Sequence, residues 1–120
     1  MTAKEIVREV YESDAFINLE LMKSYIHPDV CLDWNSSKGP FQMKRNDIEN
    51  FVIELSKAYQ ESTIKIHHIL GEDDLVSIRY SHFVRTIENP REEVLLANFI
   101  VIWELKDHKL FRGYQMSQLP

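Results

Sequence analysis

Two histidines stand in segments whose side chains alternate with period two. Ile64, Ile66, His68 and Leu70 share one face of the first, and Val76, Ile78, Tyr80, His82 and Val84 one face of the second. Imidazole titrates near neutrality, so two such rings on apolar faces beside a tyrosine hydroxyl could move protons at physiological pH. His68, His82 and Tyr80 are the candidate catalytic residues; the alternative is that each histidine is a hydrogen-bonded core side chain. His67 and His68 are adjacent on a strand and are expected on opposite faces, which spoils them as joint metal ligands. No metal site is expected. Cys31 is flanked by Val30, Leu32 and Asp33 rather than by a base, and reads as a buried or edge-strand thiol, not a nucleophile. Glycine occurs only at Gly39, Gly71 and Gly113, which leaves no phosphate-binding loop, and no cofactor is expected.

The elements that must hold these residues follow from periodicity. Thr2 and Glu5 form a capping-box pattern, and Ile6, Val7, Val10 and Tyr11 recur at helical spacing, predicting a helix over about residues 3–13. Leu19, Leu21, Met22, Tyr25 and Ile26 predict a second helix, which must stop at His27 because Pro28 disfavours helical geometry in the residue before it. Val30, Leu32 and Trp34 alternate with Cys31, Asp33 and Asn35 as a short strand, ending in a turn-rich run from Asn35 to Pro40. The stripe Ile48, Phe51, Val52, Leu55, Tyr59 predicts the longest helix, starting at Lys44 or at Asn46, which could pair with Glu49 as a cap.

From Ser62 onward the period is two, with turn signals at Gly71–Asp74, Glu88–Arg91 and Asp107–His108, predicting four strands in meander order. In the third of these, Leu95, Ala97, Phe99, Val101, Trp103 and Leu105 form one apolar face, expected to lie against the helices. Ile100 and Ile102 make the other face apolar too, between Asn98 and Glu104. A strand apolar on both faces must be covered on both, and three helices can cover only one side, so a second copy of the chain is expected on the outer face.

With 120 residues, 44% hydrophobic and 28% charged, the chain suits one α+β domain over residues 1–120, without repeat or linker. A net charge of -5 with scattered Lys and Arg argues against nucleic acid as a partner. The apolar run from Val94 to Trp103 is broken by Asn98 and is far shorter than the ~20 residues that span a membrane, so no membrane association is expected. The first residues carry charge where a signal peptide needs an apolar stretch, and one cysteine cannot form an internal disulfide; a cytoplasmic location is expected.

The order helix, helix, short strand, long helix and four long strands resembles the nuclear transport factor 2-like (NTF2-like, cystatin-like) superfamily, in its SnoaL-like branch. The run from Leu21 to Val30, ending at Trp34, is similar to that branch's helix-two signature, and Lys109, Leu110, Phe111 and Arg112 after a polar turn to its last strand. The resemblance implies three N-terminal helices packed on a curved antiparallel sheet, a cone-shaped pocket between them, and a homodimer through the outer sheet face. It turns Trp34 and Trp103 inward, where Tyr11, Tyr59, His68, Tyr80, His82, Phe99 and Val101 would complete a ligand-binding wall. The alternative is that the same aromatics simply fill the core.

The superfamily includes isomerases, dehydratases, epoxide hydrolases, polyketide cyclases and proteins that only bind, so the resemblance leaves activity open. Aligning the ketosteroid-isomerase pattern on Asp29 puts its base at about Trp34, its tyrosine at about Val10 and its buried acid at about Val101. Asp33 and Tyr11 are one residue away, but a one-residue slip on a strand sends Asp33 to the opposite face. Dehydratase members use histidines with a carboxylate and tyrosines, a role His68, His82 and Tyr80 could fill. The expected function is binding of a small, largely apolar molecule in the cone. One alternative is a cofactor-free isomerase, dehydratase or polyketide-cyclase-like enzyme using the pocket histidines and Tyr80, and another is a protein-interaction dimer with a filled core.

Overall fold

Local sequence sets the helices. In the computed structural model, which describes residues 1–120, α1 (Ala3–Glu12) begins in the expected capping box: Glu5 N–H donates to Thr2 Oγ1 and Thr2 N–H to the Glu5 carboxylate. Its apolar stripe, Ile6, Val7, Val10 and Tyr11, is buried. A single 3-10 turn (Ala15–Ile17) leads to α2 (Leu19–Tyr25), capped by the Asn18 side chain. The helix ends at Tyr25, just short of the Pro28 boundary. The long helix α3 (Arg45–Ala58) starts after Lys44, whose N–H is received by Asp47 rather than by an Asn46–Glu49 pair.

The strands are β1 (Ile26–Ser36), β2 (Gly39–Lys44), β3 (Tyr59–Glu72), β4 (Leu75–Thr86), β5 (Glu93–Lys106) and β6 (Lys109–Gln118). They form one six-stranded sheet in the order β2-β1-β6-β5-β4-β3. β3 to β6 are the expected meander. The sheet is mixed rather than wholly antiparallel, because β6 comes back alongside β1 in parallel. The run read as a turn from Asn35 to Pro40 is instead a hairpin whose turn is only Ser37 and Lys38, with Gly39 at a φ of 110°. Pro40 is tolerated in β2 because that strand lies at the sheet edge, where a missing N–H costs little.

The helices cover one face. Val76, Ile78, Tyr80, His82 and Val84 of β4 and Ala97, Val101 and Trp103 of β5 are buried there, as their alternation predicts. Of five register breaks in the sheet, two change which side chains face the helices near His82. Ile66 pairs with Tyr80 but His68 pairs with Arg79, so the extra residue His67 shifts everything after it by one. Ile69 is buried in consequence, whereas His68 and Leu70 lie on the outer face. In β5, His82 pairs with Ala97 but Phe83 with Leu95, so Leu96 is the bulged residue and Leu95, expected against the helices, faces outward beside Phe83. Ile100 and Ile102 point away from the helices and are nearly half exposed, opposite Met116 and Tyr114 of β6.

Candidate functional site

Between the helices and the covered sheet face lies a cavity of about 80 Å³. Val10 and Tyr11 reach it from α1, Phe16 from the 3-10 turn, Phe51 and Val52 from α3, and Trp34, Tyr80, Phe99 and Trp103 from the sheet. Only two of its lining residues, His82 and Gln115, are not hydrophobic in kind. Trp34, Phe51, Leu55, Leu96 and Phe99 also line a vestibule of about 460 Å³, which adds Phe41, Tyr59 and Leu119 and, as polar groups, Lys38 and three serines. The inner cavity and the vestibule therefore share a wall of five side chains.

The aromatic walls are ordered by one another. Tyr80 stacks on Phe99 with centroids 4.8 Å apart, Trp34 stacks on Phe51 at 5.6 Å, and Tyr11 leans on both Phe16 and Tyr80. Gly113 of β6 makes room for this packing, since a Cβ there would lie 2.6 Å from Leu32 and 2.7 Å from the Trp103 ring. The polar tips are paired: Trp103 Nε1–H donates to the Tyr11 hydroxyl at 2.9 Å, Tyr80 donates to Gln115 Oε1 at 3.2 Å, and Trp34 Nε1–H donates to Ser117 at 2.8 Å. Burial pushes Tyr11 up to about 12 and Tyr80 well above its ordinary value, so both are neutral phenols.

His82 sits 3% exposed between Phe16 and Phe99, with Nε2 2.6 Å from Ser62 Oγ. Burial pushes its imidazole down to about 4, and no charged neighbour offsets that.

Of the sequence candidates, Tyr11, Trp34, Tyr80, His82, Phe99 and Trp103 meet around the cavity. Tyr59, the first residue of β3 rather than the last of the helix, lines the vestibule. Val101 is fully buried and lines neither space. His68 is a correction: the bulge at His67 puts it on the outer face opposite Arg79, so it cannot share the cavity with His82. The same bulge leaves His67 on the outer face too, bonded to Ser81, rather than opposite in sense to His68. Cys31 lies between Lys44 and Arg112 in register, away from the cavity. Gln115, Leu96 and Phe16 were not anticipated. Gln115 is polar at an inward position, Leu96 depends on a bulge, and Phe16 stands in a 3-10 turn with no periodicity to mark it.

No protein-family model matches the chain, and no curated protein does. Solved structures do match. IdmH of Streptomyces antibioticus, provisionally named a polyketide cyclase, superposes with a TM-score of 0.72 over 98% of this chain and 92% of its own, at 15% identity. An NTF2-like protein of unknown function from Burkholderia pseudomallei gives 0.66 over 96% of this chain and 90% of its own, at 14% identity. The chain has the NTF2-like fold. A protein of Catenulispora acidiphila with a ketosteroid isomerase-like fold, solved with trimethylamine, adds a TM-score of 0.68 over 92% of this chain and 83% of its own, at 12% identity. At such identities the NTF2-like likeness fixes the architecture and leaves the chemistry to this chain's own residues.

Proposed function

We propose that this NTF2-like protein binds a small, largely apolar molecule in the space between its helices and sheet. The observation that carries the reading is a cavity walled almost wholly by apolar and aromatic side chains, five of which also line a wider vestibule beside it. At about 80 Å³ the inner part is roughly half the ~150 Å³ that admits benzene in an engineered core, so a ligand extends from it into the vestibule. That space argues against the reading in which the core is simply filled.

The enzymatic alternative has less support. An imidazole near 4 is a weak base and is uncharged at neutral pH, and the Tyr80 hydroxyl is committed to Gln115 rather than to His82. The second histidine that a two-imidazole site needs is on the far side of the sheet.

The reading is tested with 1-aminoanthracene, whose emission rises in apolar surroundings. One molecule per chain should bind, and Val52→Phe, which grows a side chain into the cavity, should weaken binding at least tenfold with the fold retained by circular dichroism. Equal binding by both proteins would place the probe elsewhere and end the proposal.

The same reading includes a homodimer through the outer sheet face, where Ile100, Ile102, Tyr114 and Met116 form an exposed apolar patch across β5 and β6. A cytoplasmic location suits its single free thiol.

A further inference from the structure

Besides its phenols and indoles, the cavity is lined by two polar side chains, His82 and Gln115. Ser62 Oγ and His82 Nε2 are 2.6 Å apart, shorter than the ~2.7–3.2 Å of N–H···O bonds and within the span of hydroxyl donors. With the hydroxyl as donor, Nε2 is the acceptor and the ring proton sits on Nδ1. Nδ1 has no protein partner, yet it is not sealed off, and the ring lines the cavity. Gln115 repeats the pattern: Oε1 is taken by the Tyr80 hydroxyl, while Nε2–H has no protein acceptor and is likewise unsealed. The indole N–H groups of Trp34 and Trp103 are already spent on Ser117 and Tyr11. No carboxylate, lysine or arginine lines the cavity. Nor does any group packed on His82 carry charge: Ser62 and Ile64 of β3, Ala97 and Phe99 of β5, and Phe16 of the 3-10 turn.

We propose that Ser62 fixes the His82 tautomer so that the free N–H groups of the cavity, His82 Nδ1–H and Gln115 Nε2–H, are donors for a ligand, and that the cavity thereby selects neutral molecules bearing a carbonyl oxygen. A hydrocarbon leaves both donors dry. A carboxylate in the inner cavity gives up its hydration with no cation there to receive it, the nearest lining cation being Lys38 of the vestibule. His82 and Gln115 line the inner cavity and not the vestibule, so the carbonyl end enters first and the apolar remainder lies among Trp34, Phe51 and Phe99. In this arrangement Ser62 is a positioning residue, and His82 donates a hydrogen bond without exchanging a proton. The inference rests on the pocket-binding reading above and adds the ligand's chemistry to it.

The test uses the intact protein. Nitrogen-15 NMR at pH 7, with His82 assigned by its loss in His82→Gln, should show Nδ1 protonated and Nε2 bare; the reverse tautomer overturns the proposal. Acetophenone, ethylbenzene and benzoate, similar in size, are then titrated and followed by tryptophan fluorescence. Acetophenone should bind roughly three- to tenfold more tightly than ethylbenzene, the worth of one added hydrogen bond, and benzoate more weakly than either. Ser62→Ala should erase the tautomer preference and most of the acetophenone advantage while leaving ethylbenzene within about twofold. Equal affinities for acetophenone and ethylbenzene, or benzoate binding as well as acetophenone, overturn the donor inference and leave the pocket reading in place. Binding of none of the three overturns both.

Discussion

A neutral imidazole in an apolar wall makes folding stability depend on pH in one defined direction. The His82 ring is held at about 4 in the folded chain against an ordinary value near 6.5, so between those limits the unfolded state takes up the proton and the folded state does not. Its contribution is fully present above about pH 6.5, is lost as pH falls toward 4, and amounts to about 3 kcal/mol across that interval. Urea unfolding at pH 7.0 and 4.5 should show this loss in the wild type and a markedly smaller one in His82→Gln. Matching losses in the two proteins would mean that the ring is not buried neutral. Tyr11 and Tyr80 add nothing to this window, because burial moves both phenols upward and away from it.

Among the elements, β6 has a specific duty at Gly113, where the missing Cβ lets Leu32 and the Trp103 ring close over the strand. Gly113→Ala should cost about 1–3 kcal/mol, the usual penalty for overpacking, and shift Trp103 emission as its bond to Tyr11 is strained. Unchanged stability and emission would show that the ring can yield. Elements whose periodicity ran unbroken were legible beforehand: α1 from its capping box and stripe, and the buried face of β4 from Val76 to Val84. Those interrupted by a bulge were not. A single added residue at His67 or Leu96 reverses every side chain beyond it, and residue type alone does not announce the insertion. β2 was hidden because Gly39 and Pro40 signal a turn, whereas an edge strand accepts both. Six of the proposed wall residues line the cavity, whereas the amide beside them, Gln115, looks from sequence like a solvent-facing position.

On the scale of the whole molecule, the outer face sets a row of apolar side chains, Ile100, Ile102, Tyr114 and Met116, against water. Placing a charge at its centre with Ile102→Lys should convert a dimer to a monomer in light scattering while the cavity still takes up 1-aminoanthracene. A wild type that already runs as a monomer, or a variant that keeps the dimer mass, would remove the sheet face as the interface.

The place of β6 also governs the order in which the molecule can be assembled. The β1–β2 hairpin and the β3–β4–β5 meander share no strand pairing; each meets the other only through β6, which lies between β1 and β5. Until residues 109–118 are in place the two halves cannot form one sheet, although α3 already links them along the chain. The last strand is thus a keystone. Pairing Ile26 with Leu110 closes a loop of most of the chain, a contact order that favours slow folding over the microsecond assembly of helical bundles.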